Sequence, residues 1–81
     1  MALDEARKAL GSGDAPRALS LINAYHWKFP RGSLGIEATV LRIDALQRAG
    51  RAGEAKRRAR AFVKRFPKSP HAERMRRIAG E

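Results

Sequence analysis

The chain has 81 residues, of which 43% are hydrophobic, so it is long enough for one small folded domain and too apolar to be disordered throughout. It contains no cysteine, which excludes disulfides, thiol catalysis and thiolate metal sites. The formal net charge is +10, with eleven basic and three acidic residues in positions 50–81, so contact with nucleic acid or an anionic membrane surface must be weighed.

The chain shows no targeting signal and no run of apolar residues as long as a membrane span. Asp4 and Glu5 make the N-terminal segment acidic, which does not fit a signal peptide. The composition therefore leaves the cellular compartment open.

Two helices are predicted in the first third of the chain. Ala2 to Leu10 carries apolar residues at helical spacing, and Gly11-Ser12-Gly13 predicts its end. Asp14 is the expected N-cap of the second helix, which tolerates Pro16 in its first turn and runs to about Phe29. The inward face of the second helix is expected to consist of Ala18, Ile22, Tyr25 and Phe29.

The third helix is predicted over Leu34 to Ala49, with Gly50 as its C-terminal stop. Apolar residues on two opposite sides indicate that this helix packs between neighbours. One apolar face is Ile36, Val40 and Ile43, and the other is Leu34, Ala38, Leu41 and Ala45.

Two further helices are predicted in the basic part of the chain. The fourth runs over Ala52 to Phe66, and the fifth runs over about Pro70 to Ala79, with Ser69 as its N-cap. The residues expected to face inward are Ala55, Ala59, Phe62 and Phe66 on the fourth helix and Ala72, Met75 and Ile78 on the fifth. No strand pattern is present in the sequence.

A sequence repeat with a period of thirty-seven residues relates the two halves of the chain. The segment Lys28-Phe29-Pro30-Arg31 recurs in type as Arg65-Phe66-Pro67-Lys68. The same shift aligns Gly13 with Gly50, Ala15 with Ala52, Ala18 with Ala55, Ala24 with Ala61, and Tyr25 with Phe62. A fixed period of this length is typical of a helical repeat architecture.

These features resemble the tetratricopeptide repeat (TPR) family. The matching positions are Ala6, Ala18, Tyr25, Pro30, Ala55, Phe62, Pro67 and Gly80. The phrase from Phe66 to Glu73 resembles the variant found in bacterial proteins of the outer-membrane assembly lipoprotein and cell-division coordinator type. The chain departs from the family pattern at Ile43, where a small residue is usual, and it lacks the opening aromatic of each first helix.

The resemblance implies an all-α fold of two TPR-like helical hairpin repeats and a C-terminal capping helix, about five helices in one domain. Repeat one is expected over about 2–32, repeat two over about 33–69, and the capping helix over about 70–79. Because stable stacks usually need about three repeats, the chain is expected to be part of a longer protein or to pair with itself. The resemblance fits either a bacterial envelope or a cytoplasmic location.

No catalytic or metal-binding constellation appears in the sequence. His26 and His71 are far apart, and neither has a carboxylate or second histidine at metal-ligand spacing. His26 is expected to be a packed or half-exposed side chain. Gly11-Ser12-Gly13 is too short for a phosphate loop and follows no strand. We therefore expect no enzyme activity, no metal, no cofactor and no small-molecule substrate.

The resemblance implies a module that binds another protein or peptide. In this family the first helix of each repeat lines a concave groove, which here means the first, third and fifth helices. The expected groove residues are Leu3, Arg7, Leu10, Glu37, Val40, Asp44, Gln47, Arg48, Arg74 and Arg77.

The basic fourth helix supports an alternative function. Its cations could bind nucleic acid or an anionic membrane, or could form a solvated outer face. Base stacking is not expected, since Phe62 and Phe66 are predicted to face the core. A purely structural or self-associating segment is the third possibility. The basic face is Lys56, Arg57, Arg58, Arg60, Lys64 and Arg65.

Trp27 is a possible second contact site. At 100° per residue it lies about 180° from Ala18 on the second helix, so it is expected to point away from the core. It either lies along its own helix or under the 30–35 loop, or it marks a contact surface on the convex side, since tryptophan is frequent among binding hot spots.

Overall fold

The structure is a computed structural model that describes residues 2–30, 32 and 34–80. Within these ranges the chain forms five α helices and no strand, which confirms the all-helical prediction. The helices are α1 (Ala2–Gly11), α2 (Ala15–Lys28), α3 (Gly35–Arg48), α4 (Ala52–Arg65) and α5 (Ala72–Ala79).

The first four helices begin and end close to their predicted bounds. The Asp14 side chain accepts a hydrogen bond from the backbone N–H of Arg17, at 3.1 Å, so Asp14 caps α2 as predicted. Gly13 and Gly50 adopt positive φ angles of 85° and 78° just after α1 and α3. This left-handed conformation is favourable only for glycine and ends each helix.

The fifth helix begins at Ala72, so the prediction of a start at Pro70 capped by Ser69 is wrong. The Ser69 hydroxyl accepts from the N–H of His71, at 3.2 Å, and its carbonyl accepts from the N–H of Ala72, at 2.9 Å. Ser69 therefore organises a turn that precedes the helix instead of capping the helix itself.

Consecutive helices pack against one another, and α1 also touches α3. The molecule measures about 30 × 28 × 18 Å along its principal axes. Its shortest dimension matches two layers of helices. Two helices whose axes are about 8–10 Å apart, each about 10 Å in diameter, together span about 18–20 Å. Helices α2 and α4 are not in direct backbone contact.

The core runs on both sides of α3, as its two apolar faces predicted. Ala38 belongs to a cluster with α1 and α2, whereas Val40 and Ile43 belong to a cluster with α4 and α5. Leu46 is also buried, although it was not assigned to either face. Ile36 was expected to pack inward but is 41% exposed, because it occupies the first turn of α3 and faces an open pocket.

The aromatic residues at the C-terminal ends of α2 and α4 occupy two kinds of environment. Tyr25 and Phe62 are buried, as predicted. Phe29 is 46% exposed and Phe66 is partly buried, so the prediction that both face the core is wrong for Phe29. Both are C-cap residues whose φ angles, −132° and −128°, leave the helical region. Phe66 still packs against the cluster that joins α3, α4 and α5, whereas Phe29 is left at the surface.

The helix bounds follow the thirty-seven-residue spacing of the sequence. Helices α2 and α4 begin thirty-seven residues apart and also end thirty-seven residues apart. The starts of α3 and α5, and the ends of α1 and α3, have the same separation. Each half of the chain therefore places a helix end and a bend at equivalent positions.

Candidate binding surfaces

Three of the expected groove residues are not available to a partner. Leu3 is fully buried, and Leu10 and Val40 are each only 6% exposed. Leu3 packs with Ile22 of α2, and Val40 packs in the cluster formed with α4 and α5. These aliphatic side chains hold the helices together, which corrects their assignment as groove-lining contacts.

Four expected groove residues form two ion pairs between helices. Arg7 of α1 pairs with Glu37 of α3, and Arg74 of α5 donates to both carboxylate oxygens of Asp44 of α3, at 2.6 and 3.2 Å. The two pairs are related by the thirty-seven-residue shift, but with the charges exchanged. The bond to Asp44 raises the pKa of the Arg74 guanidinium. Because each side chain is partly exposed, each pair contributes at most about 1 kcal/mol.

The remaining expected groove residues extend the same face. Gln47 and Arg77 are exposed and follow Asp44 and Arg74 by three residues, so they share a helix face with them. Arg48 donates to the carbonyl of Leu10 at the end of α1, at 3.1 Å. We call the surface formed by Arg7, Glu37, Asp44, Gln47, Arg48, Arg74 and Arg77 the α1–α3–α5 face.

The basic face of α4 does not act as one continuous stripe of cations. Arg60 donates to the carbonyl of Ala79, at 3.4 Å, and the Lys56 side chain lies over Gly80. Both cations therefore lie at the C-terminal end of α5, where the helix dipole favours positive charge. Their position has a structural explanation that does not require a nucleic acid.

The other cations of α4 differ in their contacts. Arg58 donates from Nε to Glu54, at 3.0 Å, and this bond lowers the pKa of the Glu54 carboxyl. The Arg65 guanidinium lies 5.5 Å from the centre of the Phe66 ring. Arg57 and Lys64 are exposed on α4.

A pocket of about 490 Å³ lies between α2, the start of α3 and α4. We call it the α2–α4 pocket. Its size falls in the range of about 300–1,000 Å³ that is typical of ligand sites. It is lined by His26, Phe29, Pro30, Gly32, Gly35, Ile36, Thr39, Arg58, Ala61, Phe62, Arg65 and Phe66. Phe29 and Ile36, which are partly exposed, form an apolar edge open to solvent.

The charged groups at the α2–α4 pocket are all basic among the residues that the structure describes. Arg58 and Arg65 line the pocket, and no aspartate or glutamate does. Arg42 donates from Nη2 to Nδ1 of His26, at 2.7 Å, so this ring nitrogen is unprotonated. Partial burial and the neighbouring Arg42 and Arg58 lower the pKa of His26, while burial also lowers the pKa of Arg42.

The lowered pKa of His26 predicts a pH-dependent stability. Its folded-state pKa lies below the ordinary value of 6.5, so the unfolded chain takes up the proton first as the pH falls. The part of the folding stability that depends on neutral His26 is fully present above about pH 6.5. It is lost as the pH falls from there towards the lower folded-state pKa of His26. Thermal melts between about pH 7.5 and about pH 5.5 should show a falling Tm. His26→Gln should make this fall shallower; an equally steep fall in that variant would assign the effect to other groups.

Trp27 is 88% exposed, which excludes packing under the 30–35 loop or burial along its own helix. The prediction that it points away from the core is confirmed. Trp27 does not line the α2–α4 pocket.

Trp27→Ala is expected to leave the Tm nearly unchanged, because the ring buries little surface in the folded chain. Circular dichroism melts of the wild type and the variant would test this. A large drop in Tm would place the ring in a packed environment.

Comparison of the chain with protein-family models, with curated proteins and with solved structures finds no match. No helix in the described ranges is both long enough and apolar enough to cross a membrane. The described residues also contain no group of three or more histidine, cysteine or acidic side chains placed to hold a metal ion.

The sequence interpretation missed the α2–α4 pocket because it placed Phe29 and Ile36 in the core. A signal for the pocket was present in Pro30. Proline disfavours helical backbone at the preceding residue, so Phe29 leaves the helix and helical periodicity does not fix the direction of its side chain. The exposure of Ile36 had no comparable signal, since it depends on which neighbouring helix covers the first turn of α3.

Proposed function

We propose that the chain is a TPR-like helical-repeat module that binds another protein. The repeat interpretation is supported by the thirty-seven-residue spacing of the helix bounds and by the matching C-cap geometry of Phe29 and Phe66. In this interpretation repeat one spans about 2–32, repeat two spans about 33–69, and the last helix is a cap. A module of this kind binds through an extended surface and carries no catalytic group.

The observation that carries the proposal is the exposed apolar edge of the α2–α4 pocket. Among the described residues, the large hydrophobic side chains that are most exposed are Trp27, Phe29 and Ile36, of which Trp27 does not line the pocket. Phe29 and Ile36 border the α2–α4 pocket. Contiguous apolar surface beside polar groups is typical of a protein contact site.

The α1–α3–α5 face is the surface that the family resemblance favours. Its acidic groups Glu37 and Asp44 already pair with Arg7 and Arg74, so a partner there would have to replace existing ion pairs. We therefore prefer the α2–α4 pocket as the main contact site and keep the α1–α3–α5 face as a second surface.

Comparative capture from a native lysate tests the function. The wild-type chain, a pocket variant (Ile36→Ser) and a face variant (Asp44→Lys) would be used as baits, and the captured proteins quantified by mass spectrometry. We expect specific proteins with the wild type and the face variant, and their loss with the pocket variant. Loss with the face variant alone would assign binding to the α1–α3–α5 face, and no specific capture by any bait would contradict a protein-binding function.

Nucleic-acid or anionic-membrane binding is the second candidate, favoured by the net charge of +10 and by the exposed Trp27 ring, on which a base could stack. Because several cations of α4 already contact α5 or Glu54, we expect only weak, sequence-independent binding that is lost near physiological salt. Binding to single-stranded RNA and to anionic vesicles that persists at high salt would promote this candidate.

A further inference from the structure

We propose that the α2–α4 pocket receives one large apolar side chain from a helical segment of the partner, and that this side chain is flanked by two carboxylates. This inference rests on the proposed protein-binding function and specifies the partner. It names a site away from the α1–α3–α5 face.

The apolar part of the proposal follows from the pocket walls. Phe62 lines the pocket and is buried, so it forms the base of the pocket. Phe66 is partly buried beside it, and the two ring centres are 5.2 Å apart. Phe29 and Ile36 border the opening and remain partly exposed. A leucine or an aromatic side chain entering the pocket would cover the exposed parts of Phe29, Ile36 and Phe66, which favours binding.

The charge of the partner follows from the two arginines that line the pocket. Arg58 and Arg65 are seven residues apart on α4, so they lie on the same side of the helix, about 10.5 Å apart along its axis. Among the described contacts, Arg58 donates only through Nε, to Glu54, which leaves its two terminal nitrogens for another carboxylate. Arg65 lies against the Phe66 ring at the pocket wall.

The spacing of these arginines specifies a pattern in the partner. Two carboxylates at positions i and i+7 of a helix are also about 10.5 Å apart, and an apolar residue at i+3 or i+4 lies between them on the same face. A partner helix lying along α4 would therefore place one carboxylate near each of Arg58 and Arg65 and its apolar residue at the pocket. This arrangement is an amphipathic helix in a groove.

Charge complementarity favours an acidic partner over a second copy of this chain. The chain carries 18 basic and 8 acidic residues, so two copies repel each other. Four of its eight acidic residues, Asp4, Glu37, Asp44 and Glu54, are already paired with arginines. A nucleic acid would satisfy the arginines, but the polar edges of its bases would lose hydrogen bonds to water in a pocket bordered by Phe29, Ile36 and Phe66.

A synthetic peptide tests the proposal directly. The probe is a fluorescein-labelled helical peptide with glutamates at i and i+7 and leucine at i+3, and fluorescence anisotropy with the full chain is measured at physiological ionic strength. Binding is expected to weaken tenfold or more with Ile36→Ser and with Arg65→Glu. Two matched controls, Trp27→Ala for an exposed apolar residue and Arg57→Glu for an exposed arginine of α4, should stay within twofold of the wild type.

Further controls separate the alternatives. Circular dichroism would confirm that each variant is folded, and Phe29→Ala replaces Ile36→Ser if the latter is not. The proposal is overturned by an absence of peptide binding, by equal binding of a peptide with serine in place of leucine, or by equal weakening in all four variants. Tighter binding of single-stranded RNA that falls equally with Arg57→Glu and Arg65→Glu would assign the site to nucleic acid.

The proposed function and the inference about the pocket can fail separately. If the wild type and Ile36→Ser capture the same lysate proteins while the peptide does not bind, the chain is a protein-binding module that uses another surface, and only the inference about the pocket is wrong. If no bait captures a protein and the peptide does not bind, both are wrong.

Discussion

Phe62→Ala is expected to lower the free energy of unfolding by about 3–5 kcal/mol, the usual cost of truncating a buried phenylalanine. Phe62 is 3% exposed and belongs to the cluster that joins α3, α4 and α5. An 81-residue domain has a total stability of only about 4–12 kcal/mol, so this variant should be largely unfolded or close to it. Urea denaturation followed by circular dichroism measures the difference.

Phe66→Ala is the matched control for this prediction. It removes the same ring from the same end of α4, but Phe66 is only partly buried and borders the α2–α4 pocket. A clearly smaller loss of stability is therefore expected. Equal losses for the two variants would contradict the burial that distinguishes them.

Gly32→Ala is expected to destabilise the chain by about 1–3 kcal/mol, the cost of overpacking a closely packed site. A methyl group at this position would overlap the hydroxyl of Tyr25 and would lie 3.1 Å from Cβ of Phe29. The Tyr25 ring is buried, and its hydroxyl accepts from the N–H of Leu34, at 3.3 Å, so the ring cannot move aside cheaply. Urea denaturation of the variant measures the loss.

Gly35→Ala and a double variant are the controls. A methyl group built at Gly35, the first residue of α3, meets no other part of the fold within 4 Å. Alanine there should therefore leave the stability unchanged or raise it by less than about 1 kcal/mol. If the hydroxyl of Tyr25 causes the clash, Gly32→Ala should cost less in a Tyr25→Phe background. Equal costs in both backgrounds would contradict the clash.

The number, order and type of the helices could be predicted because their signals are local. Asp14 caps α2, and Gly50, with its positive φ, ends α3. Apolar residues such as Ile22 and Ile43 lie at helical spacing on the buried faces of their helices. The burial of Tyr25 and Phe62 could also be predicted, because the thirty-seven-residue repeat aligns these two aromatic residues. These features depend on the residue and its neighbours in sequence.

The binding surfaces could not be predicted to the same extent because they depend on contacts between helices. Helical periodicity gives the direction of a side chain but not what covers it. It therefore placed Val40 on an open groove, although α4 and α5 bury it, and placed Ile36 in the core, although it borders a pocket. The pairing of Arg74 with Asp44 is likewise invisible at a separation of thirty residues.

An NMR titration of the ¹⁵N-labelled chain with the acidic peptide tests most directly whether the α2–α4 pocket is the binding site. The largest shifts of backbone amide signals are expected around Phe29, Ile36 and Ala61, which line the pocket, and around Arg65 at its wall. Signals of Glu37, Asp44 and Arg74 on the α1–α3–α5 face should move much less. The largest shifts on that face, or shifts spread evenly along α4 with none at Ile36, would contradict the pocket as the binding site.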